Sequence, residues 1–600
     1  MSQCHHRVVK KALAALLSAS IALSTPWAQA QVHLPSLGDS ASEDLSVGAE
    51  RRLGEQIMAE IKRDPAYLDD PVLLDYVRSL WRPLLEAART RGDITAELEQ
   101  AFSWDIFLVQ DRSVNAFALP GGHVGVHLGL MAATATRDEL AAVLAHELSH
   151  VTQRHIARSM GSASRQGALG VAAMLLGVLI AARSSNPDAA QAAIAGGQAA
   201  MIQGQLNFSR DMEREADRIG YGVFRDAGFA TSGMAGMFEK LDQASRLNDS
   251  GGFPYLRSHP LTGERMAEAR SRLNESGATI SSRSSLHALM QGRARALMEP
   301  TADNWRRLLS QANAQANSSL SAAPGASATN SATAPYPGTK GSEAVERASA
   351  LYAGALAASR LGDHTSAAKL QAELALSLQA LGANDGDTPR SQAAGQMLAA
   401  ELALARGDAM AALSALETIG QANTAPASSV NAAREAEART GRRSSLMLHS
   451  QTTLALALKA REQGHRSHDA ALREAVESLQ TWVSEHRQDA AAWLLLGQAC
   501  DVLGLQLRAL RAQAEARAAV GDLGAAIDRL RAAQARSRSA IAGGDFIEAS
   551  IIDTRLRELQ AQRRQQMAEM RAQRGPGQRP EPTDSGREDT GAPQRNGRQP

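Results

Sequence analysis

The chain has 600 residues, of which 64 are Lys or Arg and 63 are Asp or Glu, so its formal net charge at pH 7 is +1. At about 150 residues per domain, this length predicts two to four folding units rather than a single core. The near balance of acidic and basic residues gives no reason to expect nucleic acid as a partner. Aromatic residues make up only 4% of the chain and alanine is abundant, so we expect a helix-rich protein whose helices pack through small side chains.

Residues 1–30 have the pattern of a secretory signal peptide. Basic residues precede an apolar run from Ala12 to Leu23, and Ala28-Gln29-Ala30 forms a small-residue cleavage site. The apolar run is shorter than the roughly 20 residues that span a bilayer, which favours cleavage over an uncleaved membrane anchor. Cys4 leaves with the signal, and Cys500 alone cannot form an intrachain disulfide. We therefore expect an exported, periplasmic protein without disulfides.

Two amphipathic helices are predicted within residues 44–100 because apolar side chains recur there at helical spacing. Short strand patterns bounded by turn residues follow at 104–109, 114–119 and 123–128. His123 and His127 alternate along the last of these strands. We interpret both as ordinary strand residues rather than as metal ligands.

A helix that carries the motif HELSH is predicted to begin after Thr136. Thr136 and Glu139 form a capping-box pattern, and apolar residues recur at helical spacing beyond them. His146 and His150 are four apart, so they project from one face and can hold one Zn²⁺. Glu147 lies beside them, where it can act as a general base toward water. The motif alone does not distinguish this site from a helix with scattered polar residues.

A third metal ligand is available about sixty residues later, in the run EREAD. Glu213 can supply this ligand from a second helix, as a catalytic zinc requires. Asp217 lies one turn further on and can accept the outer N–H of a ligand histidine, which fixes the tautomer of that ring. Glu215 points about 160° away from Glu213 on a helix, so only one of the two should reach the metal. The alternative pattern HExxHxxGxxH fails, because Gln153 and Ile156 stand at its glycine and third-histidine positions.

Residues 167–182 form a strongly apolar stretch between the two metal-binding helices. The stretch is too short for a comfortable membrane span. It predicts either a buried core helix or hairpin, or a movable, membrane-touching lid over the active site. A peripheral membrane contact therefore stays open, and the small residues of 183–206 suit a movable loop. His155, which precedes the stretch, is interpreted as a solvated helix residue.

Four motifs together resemble those of the M48 metallopeptidases. They are HELSH at 146–150, EREAD at 213–217, NAFALPGG at 115–122, and Ser258-His259-Pro260 followed by Arg265. The resemblance covers about residues 45–275 and implies an α+β, predominantly α fold: a gluzincin-type peptidase domain with a small sheet, whose edge strand pairs with extended substrate. By architecture alone, the chain also resembles the periplasmic members that join the peptidase to tetratricopeptide (TPR) repeats.

The resemblance also implies that His259 and Arg265 lie near the metal. One role is stabilisation of the oxyanion that develops during peptide hydrolysis. A second role, for His259, is regulatory: a neutral imidazole can fill the open metal position and silence the enzyme. A third role is structural, since the histidine can simply cap a turn before Pro260. The motif does not distinguish these roles.

The C-terminal part of the chain is predicted to be a second, helical domain. Residues 311–342 are rich in Ala, Ser, Pro, Gly and Asn, which predicts a flexible linker. Within 343–574, Gly-Asp pairs with an alanine five residues after the glycine recur at Gly362/Ala367, Gly407/Ala412, Gly521/Ala526 and Gly544/Ala549. These predict TPR-like hairpins with a concave face for a protein partner, although the irregular intervals leave a plain helical bundle open. Residues 575–600 are rich in Pro, Gly and Arg and are expected to be disordered.

The sequence thus predicts an exported zinc-dependent endopeptidase in residues 31–310, with the TPR-like domain behind it. One Zn²⁺ per chain would be held by His146, His150 and Glu213, with Glu147 as general base and Asp217 orienting a ligand histidine. The resemblance implies that the substrates are unfolded, misassembled or stalled outer-membrane proteins, and that the repeats contact the outer-membrane assembly machinery. Two other functions stay open. One is a periplasmic chaperone or scaffold with a latched or inactive zinc site; the other is a membrane-embedded prenyl-protein protease, which would need spans that the sequence does not convincingly offer.

Overall fold

The computed structural model describes residues 45–160, 210–247, 254–275, 279–318, 340–381, 387–422, 442–539 and 545–573. The predicted signal peptide, the apolar stretch 167–182 and the predicted C-terminal tail lie outside these residues. The described chain is mostly helical, with one small sheet and a C-terminal helical region, which confirms the predicted fold class. Among the described helices, none is both long and apolar enough to cross a bilayer.

The N-terminal part alternates helices with four short strands. In chain order these elements are α1 (Val47–Ile61), β1 (Tyr67–Leu68), α2 (Pro71–Arg91), α3 (Ala96–Ala101), β2 (Asp105–Val109), β3 (Ala116–Leu119), β4 (His123–His127), α4 (Leu128–Ala133), α5 (Arg137–Thr152), α6 (His155–Met160), α7 (Arg210–Asp226), α8 (Ser232–Leu247), α9 (Tyr255–Ser258) and α10 (Gly263–Glu275). The three strands predicted from alternating residues are all present, each within two residues of its predicted bounds.

The sheet has the strand order β1-β2-β4-β3, so β3 lies at one edge. Strands β2 and β4 are parallel, whereas β3 and β4 form an antiparallel hairpin in which Leu119 pairs with His123. Gly121 and Gly122 make the turn of this hairpin with φ values of 77° and 88°. These left-handed conformations cost glycine little, because it has no Cβ atom. The turn sets β3 beside α5, the helix that carries the HELSH motif.

Helix α5 is buried along its whole length, and packing therefore fixes which way its motif points. Every residue from Asp138 to Thr152 is buried, beneath α7, α8 and β3. Thr136 caps the helix, since its Oγ1 accepts a hydrogen bond from the Glu139 N–H. The Glu139 carboxylate accepts from the N–H of Ala135, one residue earlier than in a standard capping box, and also pairs with Lys240 at 2.6 Å. The predicted start of the helix is confirmed.

Twelve described helices follow the peptidase elements. They are α11 (Ser285–Leu297), α12 (Ala302–Ser318), α13 (Lys340–Arg360), α14 (His364–Leu381), α15 (Thr388–Ala405), α16 (Ala409–Ala422), α17 (Arg442–Glu462), α18 (Asp469–Glu485), α19 (Ala490–Val502), α20 (Gln506–Ala519), α21 (Leu523–Ser539) and α22 (Phe546–Gln573). Neighbouring helices such as α13 and α14, α15 and α16, and α20 and α21 pack as antiparallel pairs.

The Gly-Asp pairs noted in the sequence form the turns of three of these helix pairs. Gly362, Gly407 and Gly521 adopt left-handed φ values of 77–79° after the first helix of each pair. The aspartate that follows each glycine accepts a hydrogen bond from the backbone N–H three residues later, which caps the second helix. The alanines five residues after the glycines are buried in the helix–helix contacts. The hairpins are therefore present, and their assignment as TPR units stays a prediction.

The predicted linker was wrong at both ends. Residues 311–318 belong to α12, and residues 340–342 belong to α13. Helix α12 continues because Leu308, Ala312 and Ala316 recur every four residues and are buried, with α12 packed against α13. The Ala- and Asn-rich composition concealed this pattern. The rest of the predicted linker, 319–339, lies outside the described residues.

The two predicted domains share a core. One cluster of buried apolar residues runs from Val47 to Leu448 and takes in α5 together with residues of α11 to α17. Polar contacts add to it: Arg443 of α17 forms bidentate ion pairs with both Asp69 and Asp489 at 2.7–2.8 Å. Asp69 precedes α2, and Asp489 caps α19. The helical part is therefore packed onto the peptidase part, which the sequence did not predict.

Candidate active site

Two histidines of α5 form the base of a buried cluster. The Nε2 atoms of His146 and His150 lie 3.0 Å apart, and the two rings meet edge to face. Both side chains are almost fully buried. This arrangement follows from their spacing of four residues, which places them one turn apart on the same helix face.

Glu213 enters the cluster from α7, as predicted. Its Oε1 lies 3.4 Å from Nε2 of His150, and its Oε2 lies 3.5 Å from Nε2 of His146. The two helices can approach this closely because α7 has a glycine at the contact. A Cβ atom on Gly220 would lie only 3.1 Å from the carbonyl oxygen of Ala145. A larger residue there would push Glu213 away from the histidines.

His259 also reaches the cluster, from the loop after α9. Its backbone N–H donates to the carbonyl of Tyr255 at 2.8 Å, and its ring stacks on the Tyr255 ring. The Nδ1 atom lies 2.9 Å from Oε1 of Glu213 and 3.3 Å from Nε2 of His146. One ligand atom from each of His146, His150, Glu213 and His259 lies within 4.8 Å of all the others. The structure thus places His259 where a fourth metal ligand would lie.

The residues of this cluster fit a zinc ion. Two imidazoles and one carboxylate are a ligand set of catalytic zinc sites. Both carboxylate oxygens of Glu147 are buried, with no hydrogen-bond partner among the described residues. Burying such oxygens without a partner is costly unless a cation or a ligand faces them. Metal binding requires both ligand histidines to be neutral. In that state the carboxylates of Glu147, Glu213 and Asp217 and the guanidinium of Arg265 sum to two negative charges, which a divalent cation would balance.

Asp217 lies behind His146, as predicted. Its Oδ1 is 2.9 Å from Nδ1 of His146, on the side of the ring that faces away from the cluster. Burial opposes ionisation of Asp217, but the Arg265 guanidinium and His146 hold the pKa of this carboxyl below its usual value. The pKa of His146 is shifted in turn. Burial disfavours its charged form, but the carboxylates of Asp217 and Glu213 raise its pKa to about 10.

Arg265 lies near the site, but its position does not favour oxyanion stabilisation, one of the roles that the resemblance left open. Its Nε and Nη2 donate to the two carboxylate oxygens of Asp217, at 2.5 and 2.8 Å. Its Nη1 donates to the carbonyl of Pro260 at 2.8 Å and lies 2.9 Å from Oε2 of Glu213. All three nitrogens of the guanidinium are thus engaged by protein oxygens behind the ligands. The guanidinium is placed to hold Asp217 and Glu213, not to face a substrate.

The expectation that His155 is a solvated helix residue was wrong. His155 is fully buried, and its Nδ1 lies 2.9 Å from Nδ1 of His150. Its Nε2 lies 3.0 Å from Oε2 of Glu215, which also accepts from Arg158 at 2.7 Å. Burial lowers the pKa of His155 to about 4, although Glu215 opposes that shift. Glu215 itself points away from the cluster, as its helical position predicts.

Sequence reasoning missed His155 for a geometric reason. In one continuous helix a residue five positions after His150 points about 140° away from it. Helix α5 ends at Thr152, however, and Arg154 adopts a left-handed φ of 51°. This turn brings the His155 ring back against His150. The available signal was a third histidine shortly after HELSH. Its contact with His150 could be recognised only once the turn at Arg154 was known.

The other two histidines considered in the sequence lie outside the cluster. His123 and His127 are buried in β4. Nδ1 of His127 lies 2.9 Å from the hydroxyl of Ser113 and 3.7 Å from Asp111. Both histidines are thus buried strand residues away from the cluster, in agreement with their interpretation as ordinary strand residues.

Comparison with known proteins places this geometry in a family. Residues 82–273 match the family model described as peptidase family M48. The beta-barrel assembly-enhancing protease of Escherichia coli is 35% identical over 272 residues, which are 45% of this chain and 53% of that protein. Its namesake in Yersinia pestis is 35% identical over 246 residues, 41% of this chain and 48% of that protein. Metalloprotease LoiP of Escherichia coli is 31% identical over 178 residues, which are 30% of this chain and 65% of that protein.

The chain spans about half the length of the two assembly-enhancing proteases that it matches. The matched range contains all four residues of the buried cluster, together with Glu147 and Asp217. Zinc is the metal that M48 metalloproteases use. This chain therefore carries a domain of peptidase family M48.

Proposed function

We propose that this chain is an exported zinc-dependent endopeptidase that hydrolyses peptide bonds of misfolded or stalled envelope proteins. The observation that carries the proposal is the Glu147 carboxylate. Both of its oxygens are buried without a hydrogen-bond partner among the described residues, directly beside the ligand cluster. A purely structural zinc site gives no reason to keep such a carboxylate there, whereas a hydrolase needs a general base at this place.

His146, His150 and Glu213 would hold the ion, which when bound polarises the scissile carbonyl and makes water a stronger acid. Glu147 takes the proton from the attacking water and delivers it to the leaving amine. Asp217 keeps Nε2 of His146 directed at the cluster by facing Nδ1 on the other side of the ring. Arg265 holds Asp217 and Glu213 in place.

The edge strand β3 is the proposed platform for the substrate. It lies beside α5, and among the described strands it pairs with β4 alone. An extended peptide that adds to the other side would gain main-chain hydrogen bonds that depend little on its side chains. Such binding suits a protease that acts on unfolded chains of varied sequence.

His259 is proposed to latch the resting enzyme. Its Nδ1 lies within the ligand cluster, 2.9 Å from Glu213, and its Nε2 lies 3.5 Å from Oε1 of Glu147. In this position the ring would compete with the water that hydrolysis needs. Activation would then require the loop after α9 to move away from the cluster.

The substrates and partners are inferred from the relatives. Two of them are named beta-barrel assembly-enhancing proteases. These names support the inference that the substrates are envelope proteins, and outer-membrane proteins in particular. The hairpins of the C-terminal helices would recruit the outer-membrane assembly machinery or the substrates themselves. A cleavable signal at residues 1–30 would deliver the chain to the periplasm.

The test is degradation of reduced, unfolded casein by the purified chain from residue 31 onward, with zinc content measured in the same samples. Wild type should bind one zinc per chain and cleave slowly or not at all, because the latch limits it, whereas His259→Ala should cleave faster. Glu147→Gln, alone or combined with His259→Ala, should bind zinc equally but lose hydrolysis. Cleavage by the purified Glu147→Gln variant would refute the general-base role. His259→Ala should raise the rate if the histidine is a latch.

A periplasmic scaffold with a permanently closed zinc site is the second candidate. The position of His259 within the ligand cluster is the observation that favours it. Zinc binding without cleavage by either wild type or His259→Ala would support the scaffold. Cleavage that appears only in His259→Ala would support the latched protease.

A further inference from the structure

The hydrogen atoms on the second ligand histidine can be assigned from the geometry. Nε2 of His150 faces the cluster, 3.0 Å from Nε2 of His146 and 3.4 Å from Oε1 of Glu213. A neutral imidazole that binds a metal through Nε2 must carry its hydrogen on Nδ1. That Nδ1 lies 2.9 Å from Nδ1 of His155. His155 must therefore accept this hydrogen bond through the lone pair of its own Nδ1.

The same reasoning fixes the next ring. If Nδ1 of His155 accepts, its hydrogen lies on Nε2, which is 3.0 Å from Oε2 of Glu215. An ionised carboxylate only accepts hydrogen bonds, so it matches this N–H. Arg158 holds the same oxygen at 2.7 Å and keeps the carboxylate in place. One assignment of hydrogens thus satisfies these contacts from Glu215 to His150.

We propose that His155 and Glu215 position the zinc ligand His150, through a hydrogen-bonded chain that runs from the carboxylate through His155 to Nδ1 of His150. Each ligand histidine would then be oriented by its own carboxylate: His146 directly by Asp217, and His150 by Glu215 through a second imidazole. Both acids of the run EREAD acquire a role, with Glu213 on the metal and Glu215 behind it. The inference rests on the proposed zinc site and adds two positioning residues to it.

The turn that places His155 against His150 is held by contacts of Arg154 with the N-terminal segment. Arg154 adopts a left-handed φ of 51°, a conformation that non-glycine residues reach only at a cost. Its guanidinium is held by Glu50 at 2.9 Å and by the carbonyl of Leu45 at 2.7 Å. These contacts with the N-terminal segment keep the chain reversed between α5 and α6. The His155 ring is fully buried as a result and has little freedom to leave His150.

The test is zinc affinity, measured by competition with a chromophoric chelator on the full mature chain. Removing a hydrogen-bond partner behind a ligand histidine typically lowers metal affinity about 10–100-fold, and we expect this loss in His155→Leu. His155→Asn places an amide oxygen close to the Nδ1 position and should restore most of the affinity. The visible spectrum of the Co²⁺-substituted protein should shift in His155→Leu and return toward that of wild type in His155→Asn.

A matched control separates positioning from general loss of packing. His287 is a buried histidine outside the cluster, where its ring contacts the hydroxyl of Tyr76 and the carbonyl of Thr134. His287→Leu should destabilise the fold and leave zinc affinity and the Co²⁺ spectrum unchanged. Equal affinities of His155→Leu and His287→Leu would overturn the inference. An Asn variant that binds no better than the Leu variant would also overturn it.

A second variant covers the case in which His155→Leu does not fold. Glu215→Gln removes only the charge at the end of the chain and should weaken zinc binding severalfold. Its control is Glu239→Gln, which neutralises an exposed glutamate paired with Arg270 at the surface of the same domain. Equal affinities of these two variants would refute the role of Glu215. A wild-type chain that binds no zinc would refute the proposed function itself, whereas zinc binding that these variants leave unchanged would refute this inference alone.

Discussion

The buried pair of Arg265 and Asp217 offers a direct test of how the proposed zinc ligands are supported. The Arg265→Met substitution keeps most of the volume of the side chain and removes the guanidinium. It leaves the carboxylates of Asp217 and Glu213 buried without the cation that both now contact. It also removes the hydrogen bond to the carbonyl of Pro260, next to His259.

The expected loss of stability follows from burial. The side chains of Arg265, Asp217 and Glu213 are only 2–3% exposed, so solvent hardly screens their interaction. Removing one partner of a buried ion pair typically costs about 3–5 kcal/mol, because the other charge stays buried. Arg265→Lys keeps the charge but cannot bridge the two oxygens of Asp217 with a planar fork. Its cost should be smaller, about 1–3 kcal/mol for the hydrogen bonds that are lost.

The assay is urea unfolding followed by circular dichroism, with a chelator present so that bound metal does not mask the effect. The control is Arg270→Met on the same helix. Arg270 pairs with Glu239 at the surface, where both side chains are more than half exposed, and such pairs contribute about 0–1 kcal/mol. An Arg265→Met variant no less stable than Arg270→Met would refute the idea that Arg265 stabilises the ligand carboxylates.

Three further substitutions test buried contacts, one at the site and two elsewhere in the fold. In Gly220→Ala, the new Cβ atom would lie 3.1 Å from the backbone of α5. We therefore expect the free energy of unfolding to fall by about 1–3 kcal/mol and the zinc affinity to fall as well. An unchanged zinc affinity would mean that the close contact does not place Glu213. Arg443→Met should cost about 3 kcal/mol, because it removes the ion pairs that tie α17 to Asp69 and Asp489. We expect one melting transition for wild type, whose parts share a core, and two for the variant; a variant that melts as wild type does would contradict this. Burial lowers the pKa of His287 from 6.5 to about 4, so the stabilisation that its neutral form provides is complete above pH 6.5 and falls by about 3 kcal/mol as the pH drops toward 4. His287→Leu should therefore show a shallower loss of stability over that range, and parallel curves would refute the assignment.

Local sequence patterns predicted much of the peptidase part. The spacing of His146 and His150 requires nothing beyond one helix turn, and the Thr136 cap depends on a residue three positions away. The strand bounds and the glycine turn at 121–122 likewise depend on near neighbours. The Gly-Asp pairs of the C-terminal part predicted hairpin turns for the same reason, since the glycine ends one helix and the aspartate begins the next.

The errors came from contacts between residues far apart in the chain. Oxyanion stabilisation was one role left open for Arg265, but its guanidinium is engaged by Asp217, 48 residues earlier. His155 was expected in solvent, but Glu215, 60 residues later, and the turn at Arg154 bury it against His150. The linker prediction failed at its ends because burial against α13 extends α12 through a stretch whose composition is typical of loops.

The sequence by itself determined the candidate metal ligands, their spacing and the helices that carry them, because these depend on the period of one helix and on the chemistry of each side chain. The tertiary structure alone decided that His155 packs against His150 and that the C-terminal helices share a core with the peptidase elements. Both depend on how separate helices pack. Packing follows from the fit of many small apolar contacts across hundreds of residues, which no local pattern encodes.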